Sequence, residues 1–195
     1  HDLKKQFKGQ KDLEKDIELL NSQVERCNEI LKRLTLNPVE EDEFIDKDIN
    51  IRDYLHEIIS SFREISKKEF VFNFDQDSNP KKISKSIEIV YGLRNFIGNA
   101  NKFANNSIFI NLKSDSEFTE LTIEDDGNGY PRDIISKIGE PYLKSNYSKD
   151  KSKEGLGLGL FIGKTLLEKN FASVNCRNSK TRSGAEVVIR WKNKE

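Results

Sequence analysis

Apolar residues recur at alternating spacings of four and three over residues 11–35, a pattern that predicts one long amphipathic helix. The positions are Leu13, Ile17, Leu20, Val24, Cys27, Leu31 and Leu34. Such a seam is typical of a helix that packs against a partner helix. Upstream, Leu3 and Phe7 share one face and precede Gly9, which predicts the end of an earlier helix and a turn. We therefore interpret residues 1–37 as a partial helical hairpin. So short a first helix cannot cover the seam, so either the first helix is truncated or another subunit covers the rest, and a dimeric helical bundle satisfies both.

Beyond Pro38, an acidic stretch over 38–50 forms a linker, and the remaining pattern alternates between helical and strand periods. It predicts helices over 51–65, about 85–104, a short segment after Pro131 and about 158–170, with strands over 69–74, 107–113, 118–124, 172–177 and 185–191. This order predicts a mixed sheet with helices, an α/β sandwich over 51–195. The fold class is therefore α+β.

The composition of the chain argues against several classes of function. Lys and Arg total 33 and Asp and Glu total 33, so no basic excess indicates nucleic-acid binding. The two cysteines cannot form a disulfide framework and favour a reducing compartment. No apolar run approaches the roughly 20 residues that span a bilayer.

Asn95 and Asn99 lie four residues apart in the helix predicted over 85–104, so their side chains share one face, which Lys102 can join. Buried amides require hydrogen-bond partners. Two amide oxygens beside an ammonium suit a Mg-triphosphate, because Mg²⁺ prefers oxygen ligands and keeps several waters. The alternative is a helix whose amides only cap neighbouring loops.

A D-x-G-x-G pattern over 125–129 directly follows a predicted strand. Its glycines permit a tight turn and a close approach of a ligand to the backbone. A carboxylate beside it can accept a hydrogen bond from an exocyclic amine such as that of adenine. The alternative is an ordinary hairpin turn, since Asp-Gly and Asn-Gly are common hairpin dipeptides.

Glycines at alternate positions in GLGLGL, over 155–160, open the next predicted helix. Backbone N–H groups at a helix N-terminus suit an anion, although the spacing matches neither a P-loop nor a Rossmann turn. The polar loop over 139–154 carries four lysines that can offset triphosphate charge, and its length is typical of a lid or a disordered segment. The alternatives are a flexible hinge and a solvated loop.

In sequence order, N-x-x-x-N-x-x-K, D-x-G-x-G, P-Y and G-x-G-x-G-L resemble the N, G1, F and G2 boxes of the ATP-binding domain of sensor histidine kinases. The resemblance covers about 51–195 and implies the GHKL (Bergerat) fold that these kinases share with gyrase, Hsp90 and MutL. The stretches QVERCNEILKRL, GLRNFIGNANKFA, GEPY and GLGLGLFIGKTLLE look most like the RegB/PrrB redox-responsive group.

This resemblance implies ATP and Mg²⁺ as cofactors and gives each matching residue a role. Asn99 is the implied Mg²⁺ ligand, Asn95 and Lys102 contact phosphates or the ion, and Asp125 binds the adenine amine. Tyr142 stands where many relatives have Phe. The implied ATP-binding set is Asn95, Asn99, Lys102, Asp125, Gly127, Gly129, Tyr142, Lys144, Gly155, Leu156, Gly157, Leu158 and Gly159.

Gyrase, Hsp90 and MutL place a Glu on the asparagine-bearing helix to activate water, and Asn95 occupies that position here. An amide cannot act as a general base. The resemblance therefore predicts a site that binds ATP for transfer of the γ-phosphate to a histidine rather than for hydrolysis.

The start of the chain, HDL, resembles the H-[DE]-L phosphoacceptor box of the family, but KKQ follows where the family has a small or polar residue and usually Pro. Gly9 also turns the chain earlier than the family pattern allows. We therefore expect that His1 is not the acceptor, that the true acceptor lies upstream, and that this segment does not phosphorylate itself. We expect His56 to be structural.

Cys27 has two interpretations. It is a small apolar residue within the helical seam, or it matches the cysteine implicated in redox control in the RegB-like group. In the second case an intersubunit disulfide requires Cα atoms within about 7 Å. We expect Cys176, on a predicted strand, to belong to the core.

The resemblance further implies a homodimer formed by the N-terminal helices, a response regulator receiver domain as partner, and a cytoplasmic kinase core cut from a longer, membrane-anchored receptor. One rival is an ATP-gated clamp of the Hsp90 or MutL kind, which the missing Glu and the long hairpin helix oppose. Another is a degenerate regulatory module that binds no nucleotide, which the intact glycine motifs oppose.

Overall fold

The structure is a computed structural model that describes residues 48–75, 82–84, 86–141 and 158–193. The chain divides into two units, His1–Phe44 and Ile45–Glu195, and every described residue belongs to the second. The predicted helical hairpin with His1 and Cys27 lies outside the described residues, as do Tyr142, Lys144, Gly155, Leu156 and Gly157. The domain boundaries stay predictions.

The helices and strands predicted for the second unit are confirmed, with ends within two residues of those expected. In chain order the described elements are β1 (Asp48–Asn50), α1 (Ile51–Arg63), β2 (Glu69–Phe74), β3 (Lys82–Ser84), α2 (Ile87–Phe103), β4 (Ser107–Ser114), β5 (Phe118–Asp125), α3 (Arg132–Ile135), α4 (Gly159–Lys169), β6 (Ala172–Asn178) and β7 (Ala185–Lys192). The sequence did not predict β1 and β3, because three residues are too few to show a strand period.

The main sheet is mixed, as predicted, with the strand order β2-β4-β5-β7-β6. β2 and β4 are parallel, and the other neighbouring pairs are antiparallel. β1 and β3 form a separate antiparallel pair. The predicted α+β class with a mixed sheet and packed helices is therefore confirmed.

The core follows the two-residue period of the strands and the apolar stripes of the helices. Its fully buried members include Leu55, Ile59, Leu93, Phe96, Ile97, Ile108, Ile110, Leu112, Leu121, Ile123, Leu167 and Ile189.

Cys176 is half-buried and packs against this core. His56 lies on the exposed side of α1, with its ring edge-on to Phe72 at a centroid distance of 4.9 Å. Within the described residues, no helix combines the length and apolar character needed to span a membrane.

Two glycines let α2 and α4 pack closely. A Cβ atom at Gly92 would lie 2.7 Å from Cγ of Leu167, and one at Gly163 would lie 2.9 Å from Cε2 of Phe96. Larger residues would separate the helices, because protein interiors are close-packed. This contact places the start of α4 beside the asparagine-bearing face of α2.

Candidate nucleotide site

The centre of the candidate site is Asp125, the last residue of β5, which is only 2% exposed. Its Oδ1 accepts hydrogen bonds from the backbone N–H groups of Gly127 at 2.9 Å and Ala185 at 3.2 Å. No hydrogen bond joins Oδ2 to another described residue. Burial raises the pKa of this carboxyl above its usual value, and the nearby Asp126 adds to the shift; the two N–H donors and Lys68 oppose it without cancelling it.

Glycines surround Asp125 where the backbone leaves no space for a side chain. A Cβ atom at Gly127 would lie 2.4 Å from the carbonyl oxygen of Phe103, and one at Gly184 would lie 1.8 Å from the carbonyl oxygen of Asp125. Both positions therefore require glycine. Gly127 belongs to the D-x-G-x-G motif, whereas Gly184 belongs to no motif and was not predicted; in the sequence it is only a glycine directly before a strand.

Gly129 adopts a left-handed backbone conformation, with φ of +72°. The next residue, Tyr130, is held by the amide of Asn178: Oδ1 accepts from the Tyr130 N–H at 2.6 Å, and Nδ2 donates to the Tyr130 carbonyl at 3.0 Å. Sequence reasoning also missed Asn178, because it lies 48 residues away from its partner and belongs to none of the motifs.

Asp126 links the D-x-G-x-G segment to the end of α2 by hydrogen bonds. Its carboxylate accepts hydrogen bonds from the backbone N–H groups of Asn105 at 2.7 Å and Asn106 at 3.0 Å. Lys68 acts at the same end of the helix, where its Nζ donates to the carbonyl oxygens of Ala104, at 2.6 Å, and Asn101. A lysine at a helix C-terminus is favoured because it meets unpaired carbonyl groups and the negative end of the dipole.

The three predicted polar residues of α2 have different environments. Asn95 is half-buried, and its Nδ2 donates to the Tyr91 carbonyl at 2.8 Å. Asn99 is also half-buried, and no hydrogen bond joins its side chain to another described residue. Lys102 is exposed, with its ammonium 5.4 Å from the centroid of the Phe103 ring.

The described part of the glycine-rich motif meets α2 directly. A Cβ atom at Gly159 would lie 3.5 Å from Oδ1 of Asn95. The backbone of Leu158 precedes the first turn of α4 and accepts from the Ile162 N–H at 2.9 Å. The fold thus brings α2 to the glycine-rich motif at Asn95 and Gly159, and to the D-x-G-x-G motif at Phe103 and Gly127.

Comparisons with known proteins agree with this arrangement. The model of the family described as histidine kinase-, DNA gyrase B- and HSP90-like ATPases matches residues 84–195. Sensor histidine kinase RegB of Cereibacter sphaeroides is 29% identical over 208 aligned residues, which cover 97% of this chain. The chain spans 45% of the length of that relative.

Solved structures show the same fold. The mycobacterial sensor histidine kinase MprB superposes with a TM-score of 0.63 at 19% identity, covering 75% of this chain and 97% of that one. The full-length ShkA in complex with AMPPNP superposes with a TM-score of 0.61 at 20% identity, covering 76% of this chain and 31% of that one. The GHKL fold predicted from the sequence is therefore confirmed.

Proposed function

The chain belongs to the family of histidine kinase-, DNA gyrase B- and HSP90-like ATPases, and from this premise we propose that it is the ATP-binding core of a sensor histidine kinase. The predicted resemblance to sensor kinases with RegB-like relatives is confirmed. The observation that carries the proposal is the buried Asp125 carboxylate, which has one oxygen held by two N–H donors and one oxygen left for a ligand.

This carboxylate fits the adenine base. The exocyclic amine of adenine donates to Oδ2, and Gly127 keeps the neighbouring backbone free of a side chain. Because Asp125 is buried, such a hydrogen bond to a charged acceptor is strong. The AMPPNP complex of the structurally similar ShkA supports an adenine nucleotide as the ligand.

The triphosphate end extends along α2 toward the start of α4. Asn99, whose amide has no partner among the described residues, fits a Mg²⁺ ligand, since one protein oxygen plus phosphate oxygens and waters satisfies this ion. When bound, Mg²⁺ neutralises the charge of the phosphates. Asn95 and Lys102 contact the phosphates, together with Lys144 and the glycine-rich segment over 155–159.

The residues of α2 favour phosphoryl transfer over hydrolysis. Glu88 is the one carboxylate in the sequence of this helix, and it lies in the first turn, where it accepts from the Ser86 hydroxyl at 2.6 Å. Two turns further, Asn95 offers an amide that cannot remove a proton from water. The γ-phosphate is therefore transferred to a histidine, which we place upstream of residue 1, and from there to the aspartate of a response regulator.

The whole protein is proposed to be a homodimer through its N-terminal helices, with a cytoplasmic kinase core and a membrane anchor. The similarity to sensor kinases along nearly the whole chain supports the assignment of a kinase core. Strong steady ATP hydrolysis by the chain would instead favour a clamp of the Hsp90 or MutL kind.

The direct test of base recognition is calorimetric binding of Mg·ADP and Mg·ATP to the wild type and Asp125→Asn. Because Oδ1 is held by two N–H donors, the new NH₂ group occupies the position of Oδ2 and faces the adenine amine, donor to donor. We expect affinity to fall at least about tenfold. The control is Asp115→Asn, which changes a carboxylate that also accepts two backbone N–H groups but lies at the other end of β5. Equal affinity of Asp125→Asn and wild type would refute the proposal.

The metal assignment has its own test. We expect Asn99→Ala to remove most of the gain in ADP affinity that Mg²⁺ produces, while the affinity measured in excess chelator stays near that of the wild type. The chelator measurement is the internal control for folding of the site. An unchanged response to Mg²⁺ would exclude Asn99 as its ligand.

A further inference from the structure

One cross-strand pair of the β6–β7 hairpin holds the D-x-G-x-G segment at both ends. Asn178 and Ala185 are partners in the register of these strands. The Ala185 N–H donates to the Asp125 carboxylate, and the Asn178 amide bonds the backbone of Tyr130. The segment between these two attachments contains both glycines of the motif.

The two hydrogen bonds between Asn178 and Tyr130 restrain orientation as well as distance. Since the amide of Asn178 both accepts from and donates to Tyr130, it restrains the position and the orientation of that backbone. A Cβ atom at Gly129 would lie 2.7 Å from Oδ1 of Asn178, so the amide packs directly on the left-handed turn. The Asn178 amide therefore lies against Gly129 and is hydrogen-bonded to Tyr130.

We propose that Asn178 is a positioning residue for base recognition: by holding the backbone of Gly129 and Tyr130, it places the turn so that Asp125 meets the amine of an adenine nucleotide. The inference rests on the proposed function and deepens it. It adds to the ATP site a side chain that lies outside all of its sequence motifs.

The inference predicts a loss of selectivity rather than a general loss of binding. Hypoxanthine carries a carbonyl oxygen where adenine carries its amine, so Asp125 accepts from ADP and repels IDP. Both nucleotides carry the same ribose and diphosphate. The ratio of the two dissociation constants therefore isolates the contact between Asp125 and the base.

The experiment measures Mg·ADP and Mg·IDP binding by calorimetry for the wild type, Asn178→Ala, Asn178→Asp and Asn175→Ala. Asn178→Ala removes both hydrogen bonds, whereas Asn178→Asp keeps the acceptor and places a carboxylate against the Tyr130 carbonyl. Asn175 is the matched control, because it is an exposed asparagine on the same strand. Asn178 is itself exposed, so its replacement opens no cavity in the core.

We expect the preference for ADP over IDP to fall about tenfold in both Asn178 variants and to stay unchanged in Asn175→Ala. Amide exchange by NMR without nucleotide gives a second readout, in which the Tyr130 N–H exchanges faster in Asn178→Ala. If the wild type prefers ADP and the Asn178 variants keep the same preference, this inference alone is overturned. A wild type that binds neither nucleotide, or binds both equally, would overturn the proposed function and the inference with it.

Discussion

The carboxylate of Asp125 accepts a hydrogen bond from the backbone N–H of Ala185 at 3.2 Å, although 60 positions of sequence separate them. The bond joins the end of β5 to the start of β7, which are neighbours in the sheet. It directs Oδ1 into the protein and leaves Oδ2 for a ligand. The pairing of β5 with β7 thus sets the orientation of a buried acid, as the proposed contact with the adenine amine requires.

Base selectivity should depend on pH through Asp125. Burial, aided by Asp126, raises its pKa, and Lys68 and the N–H donors only partly compensate. Since the amine is accepted by the ionised form, the preference for ADP over IDP should decline as pH falls, starting at a higher pH than for an exposed aspartate. Calorimetry of both nucleotides over a pH series measures this, and the titration of their shared diphosphate cancels in the ratio. A ratio that stays constant down to about pH 4 would contradict it.

Two glycine-to-alanine substitutions should change stability in opposite directions. At Gly184 the new methyl group would lie 1.8 Å from the Asp125 carbonyl, a backbone atom that cannot rotate away, so we expect a loss of about 3 kcal/mol, the upper end of the usual cost of overpacking. At Gly98, within α2, the methyl group meets the Phe62 ring at an ordinary 3.5 Å, and alanine should gain about 0.5–1 kcal/mol from helix propensity. Urea unfolding at neutral pH measures both; a Gly184→Ala protein as stable as the wild type would exclude this packing.

Asp126 should contribute stability that acid removes. Burial raises its pKa, but the backbone N–H groups of Asn106, Ser107 and Asn105 together outweigh burial, and the net pKa is lowered. A lowered folded-state pKa means that the contribution is present above the unfolded value of about 3.9 and is lost as pH falls through the folded value. Asp126→Asn should therefore cost about 1 kcal/mol at pH 7 and progressively less below about pH 4.

The measurement for Asp126 is urea unfolding of both proteins across that pH range. Glu117→Gln serves as the control, since it removes an exposed carboxylate at the opposite end of β5. If the difference in unfolding free energy between the wild type and Asp126→Asn does not vary with pH, the charge of the carboxylate does not contribute to its hydrogen bonds with Asn105 and Asn106.

Any oxidised dimer should form through Cys27 rather than Cys176. Burial raises the pKa of the Cys176 thiol to about 11, so little reactive thiolate is present near neutral pH. On non-reducing gels, Cys27→Ser should remove an oxidised dimer and Cys176→Ser should retain it. A dimer that persists in Cys27→Ser and disappears in Cys176→Ser would reverse the assignment.

The sequence by itself determined the four described helices, the five strands of the main sheet, the α+β class and the motifs of the candidate site. Each of these is specified by a short local pattern: the two-residue period of β4 and β5, the four-residue spacing of Asn95 and Asn99, and the D-x-G-x-G turn. Such patterns can be identified within about ten residues because they reflect backbone geometry and the one buried face of each element.

Only the tertiary structure decided which residues complete the site. Gly184, Ala185 and Asn178 belong to none of the sequence motifs, since their importance comes from strand register and from partners 48 to 60 residues away. Lys68 likewise becomes relevant only where the loop after α1 meets the end of α2. Contacts of this kind follow from the packing of whole elements, so no periodicity in the chain encodes them.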